Sequence, residues 1–286
     1  MNTASKYPIS KLLFTLNNGH KIPAIGLGTY QIKLNEDVDT AISNAYKAGY
    51  RHIDSAVGYR NEKSIGEALN KYNIPREEMF ITSKIPSDKM KYEMAKKCIQ
   101  NSLQHFQTDY IDLYLVHWPG AKSLEDRLGV WRALEEGVEA GVIRSIGVSN
   151  FLPIHLATIL DNCKIKPAVN QFELHPLFID WETIEMCTKQ NIQIEAYSTF
   201  ARMDPKLIEN DVLTSISQKY GKKSTQVLVR LAVQHGWVIL PKSSNVERIY
   251  DNIDVDDFTL TEEEIKNLDL LNCNYKVAWN PIKIDF

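Results

Sequence analysis

Residues 111–150, IDLYLVHWPGAKSLEDRLGVWRALEEGVEAGVIRSIGVSN, contain one complete strand–helix–strand unit. The run 111–117 is short and strongly apolar, as buried parallel strands are. Over residues 124–138, large apolar side chains recur at steps of three and four, which predicts an amphipathic helix. A glycine follows that helix at Gly141, where a left-handed cap favours one. The apolar run 145–149 then predicts the next strand.

Eight apolar runs of this kind alternate with stretches of helical periodicity along the chain. They are residues 24–27, 50–54, 80–84, 111–117, 145–149, 168–172, 192–197 and 237–240. The alternation predicts an α/β fold, a (β/α)8 TIM barrel. A doubly wound sheet would alternate in the same way, but the count of eight and the length of 286 residues favour the barrel. Because no linker interrupts the chain, we expect one domain over residues 1–286.

Ahead of these runs, the sequence predicts a β-hairpin. Its arms are residues 12–16 and 21–25, and Asn17-Asn18-Gly19 forms the turn between them. Such a hairpin would close the N-terminal end, or bottom, of the barrel. Reactive residues are then expected at the opposite end, where the strands finish.

The composition is that of an ordinary soluble globular protein, with 44% hydrophobic residues, 24% charged residues and a net charge of -3. It excludes a disordered chain and provides no strongly basic footprint for nucleic acid. No apolar run reaches the ~18 residues of a membrane span, and the N-terminus lacks the features of a secretory signal. The four cysteines have neither CxxC nor metal-ligand spacing. We therefore expect reduced thiols, no metal site and a cytoplasmic location.

Three ionisable residues stand at the ends of consecutive predicted strands: Asp54, Lys84 and His117. Taken singly, each is better explained as part of a structural ion pair or as a hydrogen-bonded core histidine. Taken together, at the mouths of three strands, they indicate a functional site. With Tyr59 they suggest a proton donor, because an adjacent ammonium would lower the pKa of a phenol. Asp54 would orient Lys84, and His117 would donate a hydrogen bond to a substrate oxygen.

Five motifs, in order along nearly the whole chain, resemble those of the aldo-keto reductases. They are GYRHIDSAVGYRNE (49–62), DLYLVHWP (112–119), IGVSNF (146–151), VNQFELHP (169–176) and LPKSSNVERIYDN (240–252). The chain is similar to short-tailed prokaryotic, protist and fungal members, of the diketogluconate reductase and prostaglandin F synthase type. The resemblance implies a catalytic tetrad of Asp54, Tyr59, Lys84 and His117. It also implies that a nicotinamide donates hydride to an aldehyde or ketone while Tyr59 supplies the proton.

The resemblance further implies the residues that bind NADPH. At the nicotinamide end of the pocket they are Thr29, Ser149, Asn150, Gln171 and Tyr197. Around the adenosine 2′-phosphate and the adenine they are Lys242, Ser243, Arg248, Asp251 and Asn252. Two cations and a hydroxyl suit a phosphate dianion, which favours NADP over NAD. Without the motif, the two cations would be interpreted as a solvated surface pair.

Three places depart from the family pattern. Ile85-Pro86 stands where a tryptophan often follows the lysine, Tyr30 replaces another common tryptophan, and the loop after Tyr197 lacks the usual Pro-Leu-Gly. Trp118 and Trp279 remain, with Tyr30, as the candidate walls of the substrate site. The tail after Asn272 is short, and because long tails contribute to steroid recognition in some animal members of the family, we do not expect a bulky steroid substrate.

Two other functions remain open. Some family relatives serve as cofactor-binding regulatory subunits of channels with little turnover, although the complete tetrad argues against that role here. A barrel isomerase or aldolase would use Lys84 as a Schiff-base nucleophile, although a lysine paired with Asp54 stays protonated. The resemblance implies a monomer whose partner is a small carbonyl molecule, and we expect no nucleic-acid or membrane partner.

Overall fold

The computed structural model describes residues 8–32 and 36–281, and this part of the chain forms ten strands. They are β1 (Leu13–Thr15), β2 (Lys21–Pro23), β3 (Leu27–Gly28), β4 (His52–Asp54), β5 (Phe80–Ile85), β6 (Ile111–Val116), β7 (Ile143–Ser149), β8 (Val169–Glu173), β9 (Gln193–Tyr197) and β10 (Val238–Ile239). Strands β3 to β10 form one parallel sheet in chain order. Gly26 N donates to Ile239 O at 2.9 Å, and Ile239 N donates to Ala24 O at 2.8 Å. These bonds join the first and last strands, so the sheet closes into the predicted barrel.

The helices follow the barrel strands, which confirms the strand–helix alternation. They are α1 (Glu36–Ala48), α2 (Glu62–Lys71), α3 (Tyr92–Phe106), α4 (Leu124–Glu139), α5 (Pro153–Leu160), α6 (Trp181–Lys189), α7 (Pro205–Ile208), α8 (Asp211–Tyr220), α9 (Ser224–Gln234), α10 (Val246–Ile253) and α11 (Glu262–Asp269). Side-chain caps fix several starts: the Ser123 hydroxyl accepts from Asp126 N at α4, and Thr261 forms a capping box with Glu264 at α11.

The first barrel strand is shorter and later than its apolar run predicts. Residues 24–27 were the predicted strand, whereas the paired segment is β3 at residues 27–28. Gly26 explains part of the difference, because a Cβ there would lie 2.6 Å from Nδ1 of His52. This segment meets the last strand region through two isolated bridges, Ile25 with Ile239 in β10 and Gly28 with Lys242 beyond it.

The hairpin β1–β2 closes the bottom of the barrel, as predicted, although its arms are shorter than residues 12–16 and 21–25. Leu16 and Ile22 from the hairpin are buried in one cluster with Phe80, Leu113 and Val238 from inside the barrel. Burying such side chains stabilises a fold by about 1.5–3 kcal/mol each. This end of the barrel is therefore an apolar plug, and its polar chemistry lies at the other end.

No helix in residues 8–32 and 36–281 has the length and apolar character that a bilayer span requires. Cys98, Cys163, Cys187 and Cys273 are all free thiols.

Candidate active site

Asp54 and Lys84 form a buried ion pair at the C-terminal ends of β4 and β5. The Lys84 side chain is fully buried, and its Nζ donates to both carboxylate oxygens of Asp54, at 2.8 and 2.6 Å. A third bond runs from Nζ to the carbonyl oxygen of Ser55 at 2.8 Å. Three acceptors match the three N–H groups of an ammonium, so the charge of Lys84 is fully compensated where water is excluded.

Tyr59 lies above this pair in a short 3-10 turn, Val57–Tyr59. Its hydroxyl is 3.5 Å from Lys84 Nζ, and Nζ is 5.0 Å from the centre of its ring. Asn61 holds the turn in place, because its amide donates to Thr29 O at 3.0 Å and accepts from the Ser55 hydroxyl at 2.6 Å. The loop after β4 is thus fastened to the end of β3.

The expectation of a Tyr59 pKa below its ordinary value is wrong for this arrangement. Burial, followed by the negative charge of Asp54, raises the pKa of Tyr59 well above its ordinary value of 10.0. Lys84 favours the phenolate but does not outweigh burial, because Asp54 binds Lys84 through both oxygens at shorter distances than Lys84 has to Tyr59. Tyr59 is therefore a fully protonated phenol near neutral pH.

His117 completes the predicted set at the end of β6. Its ring packs edge-on against Tyr59 with centroids 5.6 Å apart. Burial, and then the positive charge of Lys84, lowers the pKa of His117 to about 3. The imidazole is consequently neutral and has one N–H donor and one acceptor nitrogen.

The predicted substrate residues extend this arrangement into a row of rings along the barrel mouth. Tyr30 lies 5.0 Å from Tyr59 between ring centroids, His117 lies 6.5 Å from Trp118, and Trp118 lies 4.6 Å from Trp279. Tyr30 and Trp279 are 49% and 58% exposed, so the ends of the row face solvent. The structure thus brings the catalytic candidates and the candidate walls into one continuous surface.

On the other side of the mouth, the predicted nicotinamide residues form a tight hydrogen-bond network. Asn150 donates to His117 O and to the Ser149 hydroxyl, both at 3.0 Å, and accepts from the Tyr197 hydroxyl at 2.7 Å. Gln171 donates its amide N–H groups to Asp54 and Glu195 inside the barrel. These contacts fix the ends of β7, β8 and β9 relative to His117, while the cofactor roles themselves stay predictions.

Thr29 is more enclosed than a direct ligand contact requires. Its side chain is fully buried, and its hydroxyl donates to Asp54 O at 2.8 Å. In this position Thr29 joins the end of β3 to the end of β4.

The residues predicted for the adenosine end lie just before α10 and along it. Lys242 and Arg248 are exposed, and within residues 8–32 and 36–281 neither forms an ion pair with a carboxylate. The Ser243 hydroxyl is bonded locally to the backbone of Asn245. The two residues predicted at the adenine are less accessible: Asp251 forms an ion pair with Lys223 at 2.5 Å, and Asn252 is buried.

A model of the Aldo/keto reductase family matches residues 24–272. The chain belongs to the aldo-keto reductase family. This aldo-keto reductase is 41% identical over 271 residues to the glyoxal reductase of Bacillus subtilis, covering 95% of this chain and 96% of that protein. Family membership makes it an oxidoreductase that acts on carbonyl groups.

Solved structures agree with this assignment. An aldo-keto reductase from a Medee basin deep-sea metagenome library superposes with a TM-score of 0.90 at 39% identity, covering 96% of this chain and all of that one. The Bombyx mori aldo-keto reductase in complex with NADP has a TM-score of 0.86 at 34% identity, covering 94% of this chain and 95% of that one.

Two ionisable residues inside the barrel of this aldo-keto reductase, Glu195 and His52, were not among the predicted site residues. Gln171 Nε2 bridges Asp54 at 2.9 Å and Glu195 at 2.7 Å, and His52 Nε2 lies 3.6 Å from Glu195. Burial, and then the charge of Asp54, raises the pKa of Glu195 to about 8. Burial, and then Lys84, lowers the pKa of His52 to about 3.

A signal for both residues was present in the strand period. Glu195 stands two residues before Tyr197, and His52 stands two residues before Asp54. Because alternate side chains of a strand point to the same face, both residues share the inward face of their predicted site partners. The residue two positions before each predicted site residue at a strand end is therefore also a candidate for the site.

Proposed function

We propose that this aldo-keto reductase catalyses the NADPH-dependent reduction of small aldehydes or ketones to alcohols, with Tyr59 as the proton donor. The observation that carries the proposal is the position of the Tyr59 hydroxyl, 3.5 Å from a buried Lys84 ammonium and beside a neutral His117. A hydroxyl so placed can reach a carbonyl oxygen bound at the barrel mouth.

Tyr59 acts as a general acid in this proposal. Its raised pKa keeps the phenol protonated before reaction. As hydride reaches the carbonyl carbon, the oxygen gains negative charge, and an alkoxide is a stronger base than a phenolate. Transfer of the proton from Tyr59 is therefore favourable, and Lys84 stabilises the phenolate that remains.

His117 holds the substrate oxygen in this mechanism. A neutral imidazole offers a single N–H to the carbonyl oxygen and does not compete with Tyr59 as an acid. A donor fixed where negative charge develops stabilises the transition state more than the ground state. The rings of His117 and Tyr59 lie 5.6 Å apart between centroids, which supports a shared substrate oxygen.

The residues at the start of α10 fit a cofactor with a 2′-phosphate. Lys242 and Arg248 carry positive charges that no carboxylate of the described chain neutralises, beside the N-terminus of a helix. Ser149, Asn150 and Gln171 would hold the nicotinamide carboxamide. When bound, the dihydronicotinamide supplies the hydride. The NADP bound by the Bombyx mori relative supports this choice.

The contacts of Lys84 favour this proposal over Schiff-base chemistry. An amine that attacks a carbonyl must be unprotonated and approachable. Lys84 is fully buried, and three acceptors surround its Nζ. A small carbonyl substrate is in line with the name of the Bacillus subtilis relative, a glyoxal reductase.

Other expectations stay predictions: one domain over residues 1–286, a monomer, a cytoplasmic location, and a small molecule as the only partner. Sedimentation of the purified chain measures its mass in solution and so tests the monomer. A family relative that only regulates a channel would bind NADPH without turnover.

The experiment is an NADPH-oxidation screen over sugars, aromatic aldehydes, dicarbonyls, keto acids and quinones, with NADH as a parallel control. We expect turnover with NADPH, and we expect Tyr59→Phe to lower it by roughly 10²–10⁴-fold, the usual contribution of a general acid. Tyr92→Phe is the matched control on α3. NADPH binding, followed by fluorescence titration, should be unchanged in both variants. Full activity of Tyr59→Phe would exclude Tyr59 as the donor.

A further inference from the structure

Glu173, at the end of β8, binds the C-terminal tail that crosses the barrel mouth. Its Oε1 accepts from Val277 N at 2.5 Å and from Ala278 N at 3.2 Å. Lys276 Nζ lies 3.0 Å from its Oε2. One side chain therefore makes three contacts with consecutive tail residues, more than a hundred positions along the chain.

Glu173 is suited to this role because it is fully buried. Burial alone raises the pKa of a carboxyl, but the hydrogen bond from His175, the charge of Lys276 and the bond from Val277 outweigh it, so the pKa of Glu173 is lowered. The carboxylate is thus ionised near neutral pH and accepts charge-assisted bonds, which are stronger than neutral ones.

The segment that Glu173 binds leads directly to Trp279. Trp279 is 58% exposed and touches Trp118 with ring centroids 4.6 Å apart. Glu173 binds the backbone of the two residues directly before Trp279, so this anchor constrains where the ring can lie.

The same tail is also held at Tyr275, before the residues that Glu173 binds. The Tyr275 hydroxyl donates to Asp204 at 2.9 Å, and Lys206 lies over the Tyr275 ring at 4.1 Å. This contact ties the tail to the loop after β9. After Tyr275, Lys276 lies over the Phe178 ring at 3.8 Å, and Glu173 binds the backbone of the next two residues.

We propose that Glu173 is a positioning residue for substrate binding: by holding the tail backbone, it places the ring of Trp279 as the outer wall of the carbonyl site. The inference rests on the proposed carbonyl reductase function. Glu173 takes no part in hydride or proton transfer. Its loss therefore weakens substrate binding without slowing the reaction of bound substrate.

The test compares Glu173→Gln, Trp279→Ala and the double variant, with Glu185→Gln on the exposed face of α6 as a matched control. We expect both single variants to raise KM by about three- to tenfold, the effect of losing one aromatic contact, with kcat and NADPH affinity unchanged. The double variant should raise KM no further than Trp279→Ala alone, because both changes remove the same wall. Independent, multiplying effects on KM would overturn the proposal.

Hydrogen exchange provides a second readout that does not depend on turnover. The amides of Val277 and Ala278 should be protected in the wild type and should exchange faster in Glu173→Gln. Unchanged exchange of these two amides would also overturn the proposal. If the wild type reduced no carbonyl, the proposed function would fail, and exchange alone would still decide whether Glu173 anchors the tail. Should Glu173→Gln not fold, Lys276→Met weakens the same contact from the tail side.

Discussion

The two ends of the barrel interior differ in what they bury: apolar side chains at one end and ionisable side chains at the other. At the bottom, the hairpin residues Leu16 and Ile22 close a cluster that excludes water by apolar contact alone. At the top, Asp54, Lys84 and Glu195 are equally buried but carry ionisable groups. Burial of an unpaired charge is costly, whereas burial of an apolar side chain is favourable. The bottom thus stabilises the fold, and the top depends on exact pairing.

This difference determines what a single substitution does at each end. A missing methyl group at the bottom leaves a cavity but no orphaned charge. A missing partner at the top leaves a charged group in a site that water cannot enter. Stability should therefore fall more steeply at the functional end than at the end built for stability.

The largest effect is expected for Lys84→Met. This change leaves the Asp54 carboxylate buried without its cation, so the free energy of unfolding should fall by about 3–5 kcal/mol. Turnover should disappear as well, because the phenolate of Tyr59 would lose its stabilising charge. Urea denaturation followed by circular dichroism measures the first effect, and the NADPH-oxidation rate measures the second.

The double variant Asp54→Asn/Lys84→Met separates charge from packing. Without either charge, part of the lost stability should return, while activity stays absent. If the double variant were less stable than Lys84→Met by the full cost of a second deletion, the pairing argument for the top of the barrel would be wrong.

A smaller loss is expected at the bottom. Ile22→Ala should lower the free energy of unfolding by about 2–5 kcal/mol, at or below the cost of Lys84→Met, because its side chain is fully buried in the plug. Its kcat should match the wild type, since the site lies at the other end. Leu13→Ala on the same hairpin, 48% exposed, is the control and should change stability by roughly 0.5 kcal/mol or less. A lower kcat for Ile22→Ala would show that the two ends are coupled.

The sequence predicted well what depends on strand ends and local pattern. Asp54, Lys84 and His117 follow apolar runs directly, so the barrel rule places them together at one rim. The sequence did not predict the raised pKa of Tyr59, because that pKa depends on burial and on how completely Asp54 engages Lys84. The anchoring role of Glu173 was also out of reach, since its partner Val277 is 104 residues away and lies in a tail without periodicity.

The pH dependence of stability due to Glu195 tests the polar end of the barrel with a smaller change than the preceding variants. Its pKa is raised to about 8 by burial and by the charge of Asp54, while His52, neutral, and Lys84 are the other ionisable groups that face it. The folded state thus holds a proton on Glu195 that the unfolded chain releases near pH 4–5, so this group's contribution to stability falls as pH rises from about 5 to about 8.

Glu195→Gln keeps an oxygen for the Gln171 amide but cannot ionise, so it should remove that decline. At about pH 9 the variant should be more stable than the wild type, because the wild type then buries a charge that the variant lacks. Near pH 5, where Glu195 is neutral in the folded protein, the two should be nearly equal. Urea denaturation across this range measures the difference, with Glu185→Gln as the exposed control. Parallel stability curves for Glu195→Gln and the wild type would mean that Glu195 is already ionised in the folded barrel, stabilised by Gln171 and Lys84 more strongly than burial opposes it.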